Sequence, residues 1–135
     1  MKSIYFLFVC LVFFTAKNQA QTVTDYDGNV YNTVIIGSQV WMKENLKVTH
    51  YRNGSIIPNV TGNTAWANLN TGARCYYNND SATFDSIYGA LYNCYAVQDI
   101  ITICPSGWHV CTNPELTTLL AFLGGNDIAG GKMKE

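Results

Sequence analysis

The sequence predicts an α+β domain made of twisted antiparallel β-hairpins and one or two short helices. Eleven glycines and nine tyrosines among 135 residues favour turns and strands over a helical bundle. Short apolar segments separated by tight-turn dipeptides fill the first half of the chain, and a capped helix pattern lies near its end. With 48% apolar and 13% charged residues, the composition excludes a disordered chain, and the length predicts one domain.

Three dipeptides typical of hairpin turns divide the first half of the chain. They are Asp27-Gly28, Gly37-Ser38 and Asn53-Gly54. The first two are flanked by predicted strands at residues 22–26, 30–36 and 40–42, and the third by residues 50–52 and 56–57. Pro58 limits the last of these strands, because proline cannot donate to a sheet.

The middle of the chain contains one further helix signal and two strand signals. Residues 63–69 favour a short helix capped by Asn63, because an Asn side chain accepts hydrogen bonds from the first helical N–H groups. Residues 74–77 and 90–97 are rich in tyrosine and apolar side chains and predict strands. Residues 78–80, Asn-Asn-Asp, predict a turn.

The clearest helix pattern follows Thr112. Thr112 and Glu115 have the spacing of a capping box, in which the hydroxyl and the carboxylate satisfy N–H groups at the start of a helix. Four leucines then fall at i, i+3, i+4 and i+7 on one face, and Gly124-Gly125 ends the helix. We expect Leu119 to be buried against the strands. The four leucines are Leu116, Leu119, Leu120 and Leu123.

The first 20 residues have the layout of a secretory signal peptide, with cleavage expected after Ala20. Lys2 gives a basic start, residues 4–14 form an uncharged apolar run, and a short polar stretch follows. A helix that spans a bilayer needs about 20 apolar residues, so this run predicts no transmembrane span. The mature chain, residues 21–135, is therefore expected to be secreted, periplasmic or displayed on the bacterial surface.

Charge and motifs exclude several classes of function. A net charge of -1 gives no electrostatic attraction for nucleic acid. The sequence contains no phosphate-binding glycine loop, no His-Glu-x-x-His zinc motif and no Gly-x-Ser-x-Gly nucleophile motif. We therefore expect no enzyme activity and no cofactor.

Two groups of oxygen donors are interpreted as turns. Asp25-x-Asp27-x-Asn29 begins like a calcium loop, but its sixth and twelfth positions lack the required glycine and carboxylate. The donors of Asn78, Asn79, Asp80 and Asp85 predict a solvated turn, with a calcium site as the alternative.

The mature chain retains four cysteines, which in an exported protein favour two disulfides over a zinc site. Zinc ligands typically occur as closely spaced Cys-x-x-Cys pairs, and the spacings here are irregular. All three pairings are open on the residues alone. The cysteines are Cys75, Cys94, Cys104 and Cys111.

An ordered run of motifs from Asp25 to the last residue resembles the Fibrobacter succinogenes major paralogous domain. Its first half includes Asp27-Gly28-Asn29-Val30-Tyr31, Gln39-x-Trp41-Met42-x-Glu44-Asn45-Leu46, Thr49-His50-Tyr51-Arg52-Asn53-Gly54 and Ile57-Pro58-Asn59. Its second half includes Tyr77-Asn78-Asn79-Asp80, Leu91-Tyr92-Asn93, Tyr95-Ala96-Val97 and Cys104-Pro105-x-Gly107-Trp108-His109-Val110. The chain departs from the family at Cys94, Cys111 and Leu116.

The resemblance implies an exported bacterial module with a C-type-lectin-like fold and no settled biochemical activity. Cys75 and Cys104 match family cysteines and are the first expected disulfide, and the two departures Cys94 and Cys111 are the second. The family domain continues with further strands beyond Glu135. The chain is therefore expected to be C-terminally incomplete, without the half that carries ligand loops in lectin-like folds.

We expect the module to bind a polysaccharide or a cell-surface protein without catalysis. Two alternatives stay open: a purely structural surface domain, and a fragment of an enzyme of the formylglycine-generating type. The ligand-binding candidates are Trp66, which lies in a polar stretch, and the turn at residues 78–80, which comprises Asn78, Asn79 and Asp80. Trp41 and Trp108 lie in apolar stretches and are expected to pack in the core.

Overall fold

The computed structural model describes residues 21–133, so the predicted signal peptide, residues 1–20, lies outside the described residues. Five strands are present there: β1 (Thr22–Thr24), β2 (Val30–Ile36), β3 (Gln39–Met42), β4 (Arg74–Cys75) and β5 (Leu91–Tyr92). The helices are α1 (Asn63–Ala67), α2 (Ser81–Tyr88), α3 (Cys94–Val97), α4 (Asn113–Phe122) and α5 (Asn126–Lys132). Antiparallel strands mixed with helices confirm the α+β class. None of these helices combines the length and apolarity needed to cross a membrane.

The strands form two separate antiparallel sheets. One has the order β1-β2-β3, and the other pairs β4 with β5. In the larger sheet Val23 lies opposite Tyr31, and Val34 lies opposite Trp41. The predicted turns at residues 27–28 and 37–38 connect these strands, which confirms both hairpins. The third predicted hairpin is reduced to a single bridge between His50 and Ile56.

The expectation of one or two helices was wrong, because the described part of the chain contains five α-helices and one short 3-10 helix, Tyr77–Asn79. Asp80 accepts a hydrogen bond from the Thr83 N–H at 3.1 Å and so caps α2, which begins directly after the predicted turn. Asn93 accepts one from the Ala96 N–H at 3.0 Å and starts α3 inside the segment predicted to be a strand. Gly62, not Asn63, occupies the cap position of α1. Helices that begin at these side-chain caps therefore make the strands shorter than the tyrosine-rich composition predicts.

Helix α4 forms as predicted. The Thr112 hydroxyl accepts from the Glu115 N–H, and the Glu115 carboxylate accepts from the Thr112 N–H at 2.8 Å. Leu119 is 4% exposed, which confirms its expected burial. Leu116 on the same face is 38% exposed, so the described chain covers only part of the leucine face.

Side chains from residues 46–57 and 92–108 form the main core. Buried Val48, Tyr51, Ile57, Ala96, Ile103 and Cys104 form one cluster, against which Leu46, Tyr92, Val97 and Trp108 pack. Tyr92 also donates a hydrogen bond from its hydroxyl to the Val48 carbonyl at 2.7 Å. The core therefore joins the segment after β3 to α3 and to the segment before α4.

Asp25 fixes the first hairpin turn from inside. Its Oδ1 accepts from the N–H groups of Asp27 (3.0 Å) and Asn29 (2.9 Å), and its Oδ2 accepts from the Tyr31 hydroxyl (2.6 Å). The Tyr31 hydroxyl in turn accepts from the Lys47 N–H at 3.1 Å. Asp25 is 7% exposed, and these bonds offset the cost of burying its carboxylate. The Asp25–Asn29 segment is thus the turn that the sequence predicts.

Asp27 ties this turn to the core segment. Its carboxylate accepts from the backbone N–H and the hydroxyl of Thr49, and one oxygen lies 2.5 Å from His50 Nδ1. Burial raises the pKa of the Asp27 carboxyl, but the hydrogen bonds from Thr49 and His50 outweigh it and hold the pKa below its usual value. The hairpin and the core are therefore connected by polar as well as apolar contacts.

Candidate functional site

An open groove of about 1070 Å³ separates the three-stranded sheet from the segment that precedes α4. The strands β1 and β3 contribute one side, and residues 104–111 contribute the other. Residues 44–46 and Glu115 complete the lining. We call it the tryptophan groove, because it contains two of the three tryptophans of the chain, Trp41 and Trp108.

The two indoles come from different elements. Trp41 lies on β3 opposite Val34, and its Nε1 donates to the Gln39 side chain at 3.3 Å. Trp108 packs against the core cluster with part of its surface, as expected. Both tryptophans are only half-buried, so each presents part of its ring to the groove instead of being enclosed in the core.

Arg52 holds the groove segment in place by hydrogen bonds to its backbone carbonyls. Its Nη2 donates to the carbonyls of Cys104 (2.9 Å), Pro105 (2.7 Å) and Trp108 (3.3 Å), and its Nε donates to Cys104 (3.1 Å). Its backbone N–H donates to the Thr102 carbonyl at 3.1 Å. A planar guanidinium can serve several acceptors at once, which the ammonium of a lysine cannot do in the same geometry. Arg52 therefore fixes the backbone that carries Trp108.

We expect Arg52→Met to destabilise the fold by about 2 kcal/mol, because the carbonyls of buried Cys104 and Pro105 lose charged donors. The shift in the urea unfolding midpoint, followed by tryptophan fluorescence, measures this effect. Arg52→Lys is the matched control. It keeps the charge but not the planar fork, and so should recover only part of the loss. An unchanged midpoint in Arg52→Met would contradict this role.

His109 and Glu115, which both line the groove, are joined by a side-chain hydrogen bond. His109 Nε2 lies 2.9 and 3.0 Å from the two Glu115 carboxylate oxygens. The Thr112 N–H, then His109 and the Thr112 hydroxyl, lower the pKa of Glu115 to about 2. The carboxylate that closes the capping box is thus also one of the acidic groups that line the groove.

The predicted ligand-binding residues lie elsewhere. Trp66 is half-buried on α1 and does not line the groove. Asn78 and Asn79 adopt left-handed conformations, with φ of 52° and 55°, and Asn79 Nδ2 donates to the Thr61 carbonyl at 3.1 Å. Asp80 is occupied as the cap of α2. The Asn79 contact brings the turn next to the segment that leads into α1, but Asn79 and Asp80 have local structural roles.

An aromatic cluster beside this turn was not anticipated. Tyr77 packs edge-on against Phe84 and Tyr88, with ring centroids 5.0 and 5.4 Å apart, and Phe84 stacks on Tyr88 at 5.7 Å. Tyr77 and Tyr88 are each nearly half exposed. The i, i+4 spacing of Phe84 and Tyr88 is the sequence signal that would have indicated both the helix and the cluster.

The expected disulfides are not formed: Cys75, Cys94, Cys104 and Cys111 are all free thiols in the structure. Cys104 faces the core cluster, which contains no other cysteine, and burial raises the pKa of its thiol. Cys75 is half-buried on β4, whereas Cys94 and Cys111 are exposed on different segments. Across residues 21–133, no three His, Cys, Asp or Glu side chains converge on a potential metal position.

Comparison with known protein families shows which family the chain belongs to. The model of the Fibrobacter succinogenes major domain matches residues 34–135, which include β3, all five helices and the groove segment. The chain belongs to the Fibrobacter succinogenes major domain family. No curated protein and no solved structure matches it.

The residues that match the family model include most of the lining of the tryptophan groove. Within this Fibrobacter succinogenes major domain, both groove tryptophans and Arg52 lie inside the matched residues, whereas β1 precedes them. The matched part thus contains Arg52, the two indoles of the groove and the hydrogen-bonded pair His109 and Glu115.

Proposed function

We propose that this member of the Fibrobacter succinogenes major domain family is an exported, non-catalytic module that binds a polysaccharide in the tryptophan groove. The observation that carries the proposal is the pair of half-buried indoles, Trp41 and Trp108, in one open groove. Flat aromatic rings can pack on the apolar faces of sugar rings. Gln39, His109 and Glu115 supply polar groups around the rings.

The carboxylates of the groove favour binding over hydrolysis. Glycoside hydrolysis requires one carboxyl group with a raised pKa to act as general acid. Hydrogen bonds from Asn32 lower the pKa of Glu44, and those from Thr112 and His109 lower the pKa of Glu115. Both groups are therefore ionised near neutral pH, and neither has the raised pKa that a general acid needs.

Trp41→Ala tests the proposed groove directly. We expect it to weaken binding of a soluble polysaccharide by about tenfold, equivalent to about 1.4 kcal/mol, because a central aromatic contact is lost. Trp66→Ala, which removes a half-buried indole outside the groove, is the control and should bind normally. Affinity electrophoresis against a panel of polysaccharides measures both. The proposal fails if no polysaccharide binds, or if Trp41→Ala and wild type bind equally.

Export is part of the proposal. The basic start and apolar run of residues 1–20 support a signal peptide that is removed after Ala20, which leaves Gln21 as the first residue. The mass of the product recovered from the periplasm or medium of an expressing bacterium tests this expectation. Recovery of a soluble chain that retains Met1 would contradict it.

A C-type-lectin-like fold is the finer structural proposal. Its support is the order of elements in the second half, where Gly107-Trp108-His109-Val110 leads directly into the capped helix α4. An experimental structure of a full-length family member, compared with lectin-like domains, tests this relationship.

A surface-protein ligand is the second candidate. Ile35 and Val40 lie opposite each other on β2 and β3 and are 63% and 47% exposed. Adjacent apolar side chains at a surface are typical of protein contact sites. Loss of partner binding in Ile35→Lys, with polysaccharide binding absent in the wild type, would favour this candidate over the first.

A further inference from the structure

The side chain of Gln39 connects the Trp41 indole to helix α4. Gln39 and Trp41 are two positions apart on β3, so their side chains lie on the same face of the sheet. The Trp41 Nε1–H donates to Gln39 Oε1 at 3.3 Å, and Gln39 Nε2 donates to the Glu115 carbonyl at 3.0 Å. All three residues line the tryptophan groove. One amide therefore joins the Trp41 ring to a residue 76 positions further along the chain.

The chemistry of the two partners determines how this amide is oriented. An indole N–H can only donate, and a backbone carbonyl can only accept. The Oε1 atom therefore faces Trp41, and the Nε2 atom faces Glu115. A carboxylate in this position would lack the donor, and an aliphatic side chain would lack both groups, so a glutamine is well suited to it. One N–H and one lone pair of the amide remain for a ligand.

The two groove indoles differ in the use of their N–H groups. The Trp41 N–H donates to Gln39, whereas the Trp108 N–H has no acceptor within residues 21–133. In that part of the chain the only buried side-chain N or O atom without a hydrogen-bond partner belongs to Asp85, so the Trp108 N–H is open to solvent. Trp41 can therefore offer a ligand its ring face, and Trp108 can offer a donor as well.

Further contacts extend this connection to the other side of the groove. His109, which directly follows Trp108, has its Nε2 atom 2.9 Å from a Glu115 carboxylate oxygen. Hydrogen bonds thus connect Trp41 to the segment of Trp108 through Gln39 and the residues beyond it. A ring that is held in place before a ligand arrives loses less conformational freedom on binding, which favours affinity.

We infer that Gln39 is a positioning residue for polysaccharide binding, which holds the Trp41 indole so that its ring face, and not its N–H, meets the apolar face of a sugar. The inference rests on the proposed function, because it assigns Gln39 a role in the same groove. The indole is oriented in the free protein, so the ligand does not have to order it. The N–H of Trp108 remains as the indole donor to a sugar hydroxyl oxygen.

Exchange of the indole N–H protons in the ligand-free, 15N-labelled protein tests how Trp41 is held. We expect the Trp41 proton to exchange at least about twofold more slowly than that of Trp108, because only Trp41 has an acceptor within residues 21–133. Gln39→Leu, which removes both the donor and the acceptor of the amide, should abolish this difference. Equal exchange of the two indoles in the wild type would overturn the inference, whether or not the variant folds.

Affinity electrophoresis against a panel that includes xyloglucan and galactomannan tests the role in binding. We expect Gln39→Leu to raise the Kd about fivefold, because the ligand must then order the indole. In the Trp41→Ala background the same change should alter the Kd by less than about twofold, since Gln39 acts through Trp41. Gln98→Leu is the matched control, because Gln98 is exposed at the end of α3 outside the groove, and it should leave the Kd unchanged.

The outcomes separate this inference from the proposed function. Absence of wild-type binding to any polysaccharide of the panel overturns the proposed function and, with it, the role of Gln39 in binding. Wild-type binding that Trp41→Ala weakens but folded Gln39→Leu leaves unchanged overturns the inference alone. An equal loss from Gln39→Leu with and without the Trp41 indole also overturns it, because Gln39 would then act independently of that ring.

Discussion

Gly89→Ala is expected to destabilise the fold by about 4 kcal/mol, as the sum of two independent costs. Gly89 adopts φ 66° and ψ -160°, a region that only glycine occupies readily, so any side chain costs about 1–3 kcal/mol there. An added Cβ would also lie 2.5 Å from the Leu46 carbonyl oxygen. That oxygen accepts the Ala90 N–H at 3.0 Å, and the Leu46 side chain packs on the core. The backbone at Leu46 cannot move away from the added Cβ without loss of this hydrogen bond and of the packing of Leu46 on the core.

Substitutions at two other glycines separate the conformational cost from the steric cost. Gly107 has φ 81° with nothing within 4 Å of an added Cβ, so Gly107→Ala should show the conformational cost alone, about 1 kcal/mol. Gly130 lies inside α5 with open space around it, and Gly130→Ala should stabilise by about 0.5–1 kcal/mol. Differential scanning calorimetry of the three variants ranks them. A Gly89→Ala midpoint no lower than that of Gly107→Ala would show that the close approach to Leu46 is not restrictive.

The sequence predicts this fold well where the determinants are local. Asp27-Gly28 and Gly37-Ser38 form the expected turns because glycine tolerates the positive φ that each requires. Thr112 and Glu115 form the expected capping box because both partners lie within four residues. In each case the interacting groups are close in the chain, so spacing alone determines the contact.

Prediction fails where a side chain or a distant contact decides the structure. Helix α2 has a Ser- and Thr-containing sequence with modest helix propensity, and Asp80 together with the packing of Tyr77, Phe84 and Tyr88 stabilises it. The segment at residues 90–97 has strand-like composition, but the Asn93 cap converts its second half into α3. Composition reports an average preference, and a single capping side chain overrides it.

The candidate site depends almost entirely on long-range contacts. Arg52 and Cys104 are 52 positions apart, and no local pattern indicates that a guanidinium from the third turn holds the segment of Trp108. Apolar surroundings in sequence correctly indicated that Trp108 contacts the core, but could not indicate that the opposite part of its ring lines a groove. The cysteines show the same limit, because their number suggested bridges whereas their positions in space keep the thiols apart.

Gly72→Ala is expected to destabilise the fold by about 3 kcal/mol, which should lower the melting temperature by roughly 12 °C. An added Cβ would lie 1.8 Å from the Tyr51 hydroxyl oxygen and 3.1 Å from the Cα of Ala96. Tyr51 is 7% exposed and Ala96 is fully buried, so neither has free space to retreat into. The neighbouring Ala73 N–H is held by the Asn93 side chain at 3.0 Å, which fixes the backbone of Gly72 as well.

Removal of the Tyr51 hydroxyl should rescue this variant. Within residues 21–133 that hydroxyl has no hydrogen-bond partner, so Tyr51→Phe alone should change the free energy of unfolding by less than about 1 kcal/mol. In the double variant the nearest tyrosine-ring atom would be Cζ at 3.2 Å, and more than half of the lost stability should return. Tyr92→Phe combined with Gly72→Ala is the matched control, because the Tyr92 hydroxyl donates to Val48 and lies outside the clash. Chemical unfolding of the complete double-mutant cycle measures the coupling. A strictly additive Tyr51–Gly72 pair would contradict the packing of residue 51 against this glycine.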